Sequence, residues 1–506
     1  MKLYIKKTST VKMLKTITVS AMLLISNLCF AQFFPPELDV STLDGHTGFV
    51  INGAGFSGTS VSAAGDINND GSNDVLIGEP GTSNISIGRA YVVFGGDSPF
   101  TPVFELASLE NNNANGFFIQ GATSGDRLGG SVHAAGDVNK DGIDDFIVAA
   151  VSINKGYVIF GSNGATVANI NTAELDGGNG FAMSGIASSD NFGNSVSSGN
   201  INGNVAADDL VIAAQLADNI TGEVYVIFGG DGSFDPDFNV GNLDGNNGFV
   251  IKGIAAGDLT GDSIDTGDIN GDGFDDVIIG ASNADPDGIH RAGSTYVVFG
   301  GVGTFSPSFN LSDLQTSNAN GFIIDGTLED RTTGSSISTI DLNGDGADDV
   351  IIGGVLGGIY VVYGSSSGTQ NNIDLSSLDG SNGFYIDIDN NSLSTSPVKS
   401  AGDINHDGID DLAIGIRDKD VVYVVFGNPQ GFPATFDVNT LNGSNGVKIN
   451  GLADTNFGTS VSGINDFNND GIDDLIIGAR KANQNAGASY IIFGRGDLIF
   501  EDGFDG

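Results

Sequence analysis

The sequence predicts an all-β fold: a seven-bladed β-propeller of four-stranded antiparallel blades, closed by an N-terminal strand that completes the last blade. Three observations predict it. First, the phrase Asp-x-Asn-x-Asp-Gly-x-x-Asp, followed at once by a run such as Val-Ile-Ile-Gly, occurs in six close copies and one decayed copy. The copies start at positions 66, 137, 200, 268, 341, 403 and 466, a spacing of 62 to 73 residues. A unit of that length holds one small sheet, and several must stack to bury a core. Second, strand-like phrases keep the same beat after each copy: "GRAYVVFGG" (88–96), "GEVYVIFGG" (222–230) and "GSTYVVFGG" (293–301). Third, 78 Gly in 506 residues, with 40% hydrophobic residues, point to many turns around a large core rather than to long helices.

Each repeat reads as four strands in order. The first, such as "SVSAAG" (60–65), is rich in small residues and suits a crowded centre where strands of all repeats converge. The second and third, such as "DVLIG" and "AYVVFG", carry apolar residues on both faces, as strands buried between neighbouring sheets must. The fourth, such as "GFVIKG" (248–253), alternates and is bounded by glycine. A parallel β-helix is the competing repeat fold, but its repeats are much shorter. The first repeat opens with an outer strand, "GFVIN" (48–52), and the last ends at its third, "SYIIFG" (489–494). Pairing these two segments would close the ring and remove an exposed sheet edge.

The phrases "NFGNSV" (191–196) and "NFGTSV" (456–461), with "IIGA" after the acidic loop, resemble the FG-GAP repeat family, typified by the propeller at the N-terminus of integrin α chains. The resemblance runs from about residue 38 to 495. It departs locally: "GFSGTSV" and "RLGGSV" stand in the first two repeats, and the fifth and sixth lack the aromatic-glycine pair. The resemblance implies that the acidic loop joins the first and second strands on one end of the ring. It also implies that loops of the opposite end, such as 281–292, 121–131, 253–263 and 326–336, form a recognition face.

The acidic loop has a chemistry of its own. Like charges at that density repel, so a cation or solvent must compensate them. Side chains at loop positions one, three, five and nine are Asp, Asn, Asp and Asp, and glycine at six lets the backbone curl so that their oxygens converge. An all-oxygen set with a backbone carbonyl at position seven suits Ca²⁺; Zn²⁺ would take His or Cys, and Mg²⁺ demands stricter octahedral geometry. The predicted ligands are Asp66, Asn68, Asp70 and Asp74; Asp137, Asn139, Asp141 and Asp145; Asp268, Asn270, Asp272 and Asp276; Asp341, Asn343, Asp345 and Asp349; Asp403, Asn405, Asp407 and Asp411; and Asp466, Asn468, Asp470 and Asp474. That makes about six calcium ions, one per blade except blade 3, where Asn200, Asn202 and Asn204 replace the first three ligands and the glycine is lost. The eighth-position residues Asp144, Asp275 and Asp348 are expected to cap the turn.

Residues 1–31 read as a secretory signal peptide: Lys2, Lys6, Lys7, Lys12 and Lys15 precede an apolar stretch ending at Ala31. Its removal takes away the single cysteine and five lysines, moving the formal charge from −44 to about −49. An exported fold without disulfides must be held together otherwise, and a surface this acidic excludes nucleic acid and anionic lipid. No later segment approaches transmembrane length. The domain reading is therefore 1–31 signal, 32–495 propeller and 496–506 an acidic tail without an assigned role.

His46, His133, His290 and His406 are scattered, and "GSSSG" (364–368) leads into no helix, so neither supplies a base or a nucleophile. The "RGD" at 495–497 is a chance match in a Gly- and Asp-rich chain. The expected function is a secreted or cell-surface calcium-binding module for adhesion to an extracellular protein or glycan, and not an enzyme. The alternative is a calcium-dependent enzyme that degrades extracellular polysaccharide. It would need an electropositive cleft, and the 14 Lys and Arg beyond residue 31 form no cluster along the sequence. Within the recognition loops, "ASNADPDGIHR" (281–291) is the longest of its kind, and its Asp285, Asp287, His290 and Arg291 are candidate contacts.

Overall fold

The computed structural model describes residues 34–164, 169–204, 207–232, 234–356, 358–366, 371–388 and 396–496. The predicted signal peptide and the tail beyond Gly496, including Asp497 of the Arg-Gly-Asp match, lie outside them. The described residues form seven sheets. Each innermost strand packs against the innermost strands of both neighbours, and the seventh packs back on the first. This is a closed seven-bladed propeller.

Blade 1 shows the plan. Val61–Gly65, Asp74–Glu79, Arg89–Val93 and Gly116–Gln120 run antiparallel from the axis outward. A fifth strand, Ile170–Asn171, then adds in parallel on the outside. Every blade has such a fifth strand, taken from the segment that leads into the fourth strand of the next blade. The four-stranded expectation is corrected here. The extra strand is two or three residues long, as in "VFE" (103–105) or "DFN" (237–239), too short to show alternation in the sequence. Several end on an Asp or Asn that caps a following 3₁₀ turn: Asp39 accepts from the Ser41 N–H and Asn239 from the Gly241 N–H.

The N-terminal segment enters two blades. Glu37–Asp39 is the outer parallel strand on Gly446–Asn450 of blade 6. Gly48–Asn52 lies antiparallel to Ala488–Ile492 of blade 7, with Phe49 opposite Ile491 and Ile51 opposite Ser489.

The core lies between blades. Second strands are buried throughout their length, because each is covered on both faces by a neighbouring sheet. At four seams the phenylalanine opening a fourth strand stacks on a linker phenylalanine from the next repeat. The pairs are Phe49 on Phe100, Phe181 on Phe234, Phe249 on Phe305 and Phe384 on Phe432, with ring centres 4.4–5.0 Å apart.

Small residues of the first strands leave a central channel of about 170 Å³. Its serines staple blade to blade: Ser60 Oγ accepts from the Val132 N–H, Ser195 Oγ from Ile264, Ser263 Oγ from Ile337 and Ser336 Oγ from Val398, at 3.0–3.2 Å. Larger residues reach the axis at one level, where Lys399 Nζ donates to Asp265 Oδ2 at 2.7 Å, joining blades 6 and 4. His133 is half-buried near this pair, and desolvation followed by the Lys399 charge holds its pKa below the usual histidine value.

Candidate functional site

The acidic loops fill the turn between first and second strands in every blade, at one end of the ring. In blade 1 the Asp66 carboxylate accepts from the backbone N–H groups of Asp70 and Gly71, both at 2.9 Å. That closes position one over positions five and six. The curl puts Gly71 at φ +94°, in the left-handed region that favours glycine, and the sixth-position glycines of the other five intact loops lie at +84° to +91°. Position nine faces the other way. Asp74 is fully buried and accepts from the N–H of Ile67 and of Gly95. Position three joins the two: the amide of Asn270 donates to Asp276 Oδ1, and Asn343, Asn405 and Asn468 do the same to Asp349, Asp411 and Asp474, at 3.2–3.4 Å. In blade 7, where the Asp470 N–H also donates to Asn468 Oδ1, these bonds link all four predicted positions of the loop.

The loops have oxygen atoms left over. The side-chain oxygens of Asn68, Asn270, Asn343 and Asn405 are buried and accept no hydrogen bond, and neither do Oδ2 of Asp349 and Asp411. A buried acceptor without a donor is costly, about 1–3 kcal/mol each. The ninth-position carboxyls are under the same pressure. Burial pushes Asp74, Asp145, Asp276 and Asp474 up to about 8 and Asp349 to about 9. In Asp74 the neighbouring Asp70 and Asp66 charges add to that push, against the Gly95 and Ile67 donors. The three carboxylates of a loop are not all drawn within 4.8 Å of one another.

Blade 3 keeps part of this network with Asn200 and Asn204 in place of two loop carboxylates. Asn202 donates to Asp209 Oδ1 at 2.8 Å, and its oxygen accepts from the Asn204 N–H at 2.7 Å. The Asn200 oxygen is buried and accepts no hydrogen bond.

The eighth-position aspartates correct the sequence reading. They do not cap their own turn; they reach the loop of the preceding blade. Asp144 Oδ2 accepts from the Asp66 N–H at 2.7 Å, Asp275 from Asn200 at 2.7 Å and Asp348 from Asp268 at 2.9 Å. Asp208 and Asp473 make the same bond to Asp137 and Asp403. The backbone reciprocates, with the N–H of Asp275 and Asp348 donating to the carbonyls of Asn200 and Asp268. One further bond recurs at all seven seams: the N–H three residues past each third strand donates to the second-position carbonyl of the preceding loop, as Ser162 does to Ile67 and Arg495 to Ile404. We expect Asp144→Ala to cost about 1–3 kcal/mol in a calcium-saturated denaturant titration, because it strands a backbone donor. Asp144→Asn, which keeps an acceptor oxygen, should cost clearly less.

The other end of the ring carries the second-to-third and fourth-to-first connections. In blade 4 these are 282–293 and 326–335, and they are bound to each other. The N–H groups of Asp330, Thr332 and Thr333 donate to the carbonyls of His290, Arg291 and Ala292. His290 Nδ1 lies 3.1 Å from Asp330 Oδ1 on the exposed surface, and with Glu329 they are the one metal-sized group of such side chains among the described residues. Asp285 is exposed and accepts from the Arg291 N–H. The cations that look scattered in sequence gather here: Arg127, Arg291, Arg331, Arg417, Lys419, Arg480 and Lys481 all sit in connections of this end. So do the exposed Ile85, Ile186, Ile220, Leu328, Leu356 and Leu452. Sequence spacing hides both groupings, because their members come from different blades. Arg495 of the Arg-Gly-Asp match belongs to the opposite end, where its guanidinium lies 5.4 Å from the Phe34 ring centre.

Comparison with known proteins adds a family. The FG-GAP repeat family matches residues 57–93, 260–298 and 457–492. Each match runs from a first strand through the acidic loop to a third strand. The chain carries FG-GAP repeats in three of its seven blades. It is 34% identical over 114 residues to rat phosphatidylinositol-glycan-specific phospholipase D, covering 20% of the chain and 13% of that protein. It is 28% identical over 167 residues to human integrin alpha-6, covering 31% of the chain and 13% of that protein. The chain therefore aligns with only about an eighth of the length of these relatives. No helix among the described residues is long and apolar enough to cross a membrane.

Proposed function

We propose that the protein is a calcium-loaded binding module that acts outside the cell, recognises an extracellular protein or glycan through the loop end opposite the acidic loops, and carries out no catalysis. The observation that carries this reading is the contrast between the two ends of the ring. At one end, six near-identical loops expend their side chains on one another and on the neighbouring blade, with unsatisfied buried oxygens that suit a cation. At the other, a rigid set of strands presents connections that differ from blade to blade, the arrangement expected of a scaffold for recognition.

In this reading Ca²⁺ in blade 4 would be held by Asp268, Asn270, Asp272 and Asp276, and equivalently in blades 1, 2, 5, 6 and 7. The donor set fits: it is all oxygen, and the asparagine oxygens of four of these loops are buried and unpartnered. Bound calcium would neutralise the crowded carboxylates and fix the turn.

The test uses substitutions on the outer surface rather than a loop graft, since removing 282–293 would strip Asp330, Thr332 and Thr333 of their acceptors. A glycan and surface-protein array identifies the ligand. We expect replacement of the exposed His290 and Asp287 by Ala to weaken that binding roughly tenfold, an effect of about 1.4 kcal/mol, with the melting temperature unchanged. Calcium-dependent turnover of a polysaccharide, abolished by a point change in one loop, would overturn the reading.

A further inference from the structure

Resting on the reading of this end as the recognition face, we propose that Arg417 and Arg480 form a subsite for the carboxylate or sulfate group of an acidic carbohydrate. The two arginines are equivalent residues of adjacent blades. Each directly follows a second strand, Asp411–Ile416 in blade 6 and Leu475–Ala479 in blade 7. Each stands six residues after the buried ninth-position aspartate of its loop. The same position in the other blades holds Pro80, Val151, Gln215, Ser282 and Val355, so the paired arginines belong to this seam alone.

The fold brings them together. Gly415 lies against Gly458, so close that a Cβ there would stand 2.3 Å from the Gly458 carbonyl oxygen. The adjacent Phe457 pairs with Ala479. Two consecutive residues thus join the strand ends from which both side chains leave. The Arg417 charge is felt at Arg480, whose pKa is lowered by burial and then by that charge.

The surroundings leave this pair uncompensated. Among the described residues Arg480 has no ion pair, and Arg417 has only a 3.9 Å approach to Asp418. Asp420 is already committed, accepting from the N–H groups of Asp454 and Phe457 and from Thr455 Oγ1. In a chain of formal charge −44, two arginines leaving one seam, Arg480 without an ion pair among the described residues and Arg417 with only Asp418 at 3.9 Å, form a local positive spot that favours an anion. The guanidinium fork matches a planar carboxylate or the oxygens of a sulfate, and two forks can hold one group from both sides. The adjoining turn favours a carbohydrate over an acidic peptide. Gln484 and Asn485 present exposed amides, both at positive φ, which can donate to and accept from hydroxyl groups. Lys481, also exposed, extends the positive charge along the same seam.

The experiment measures binding of the full chain in millimolar calcium to four probes: an oligogalacturonate, a sulfated galactan oligosaccharide, the unsulfated galactan and polyglutamate. The Arg417→Gln/Arg480→Gln variant should weaken binding of the carboxylated or the sulfated oligosaccharide at least tenfold, and which of the two responds identifies the group. Arg480→Lys, which keeps the charge and loses the fork, should lose most of that affinity. Lys155→Gln/Lys252→Gln, in strands of blades 2 and 3 rather than in the recognition loops, should bind as the parent does, and all variants should melt together. The proposal is overturned if neither anionic oligosaccharide binds, if the unsulfated galactan or polyglutamate binds as tightly, or if the control pair loses as much. An array ligand that responds to His290 and Asp287 but not to the arginines would also overturn it, and would leave the binding-module reading standing.

Discussion

Chelating calcium is expected to cost this protein most of its stability. Extracellular calcium modules bind with Kd on the order of 10⁻⁴ M, so millimolar calcium contributes about 1.4 kcal/mol per site. Six sites together supply roughly 8 kcal/mol, comparable to the whole net stability of an ordinary domain. A calorimetric scan with and without chelator should show a large fall in melting temperature, and an unchanged value would refute the calcium reading. Metal analysis should find about six ions per chain. Asp272→Ala should remove one of them and about 1.4 kcal/mol at that calcium level. Blade 3 should contribute none, because Asn200 and Asn204 replace two of the loop's carboxylates and its sixth-position glycine is lost; a count near seven would show that the asparagine loop binds metal after all.

Opening the ring should be nearly as damaging. Phe49 is 1% exposed, stacks on Phe100 at 5.0 Å and pairs across the seam with Ile491. Phe49→Ala removes a packed aromatic ring and leaves a cavity, with an expected loss of about 3–5 kcal/mol. Deleting 34–52 should do more. It takes the outer strand from blade 6 and the fourth strand from blade 7, and it bares the edge of Ala488–Ile492 to other chains. The deletion variant should aggregate or melt far below the parent. Val103→Ala, at a half-exposed position of the outermost strand of the same blade, should change stability by less than about 0.5 kcal/mol. Removing the residues after Gly496 should likewise leave the melting temperature near that of the parent. Equal effects from the deletion and the tail truncation would show that the seam does not hold the ring.

The repeat, the propeller and the acidic loops were legible in the sequence because each is written by local chemistry repeated in register. Asp-x-Asn-x-Asp-Gly can be read without knowing what lies beside it. What escaped depends on neighbours. Asp144, Asp275 and Asp348 look like turn caps within their own loops, and only the packing of one blade on the next aims them at Asp66, Asn200 and Asp268. The fifth strands escaped because two or three residues carry no period. The stacked linker phenylalanines left a trace, since Phe100, Phe234, Phe305 and Phe432 recur between third and fourth strands, but the linkers ahead of Phe181 and Phe384 lack one. Arg417 and Arg480 stand 63 positions apart in the chain, so their meeting is a property of the ring alone.

The antiparallel seam between Gly48–Asn52 and Ala488–Ile492 also sets a clock. Nearly every other strand finds its neighbour within a few tens of residues, whereas Gly48 waits for Ile492, 444 positions later. At ordinary synthesis rates of about 5–20 residues per second, that wait is roughly 20–90 seconds. For most of that time "GFVIN" has only the short outer strand Val103–Glu105 to pair with, and its other edge is bare in a chain whose other blades can already be assembling. Joining ends so distant in the chain carries the largest loop-closure entropy in the molecule, so the seam is the slowest pairing to form as well as the last whose residues are made. The segment that locks the finished ring is thus the one longest exposed to a wrong partner while the ring is being built.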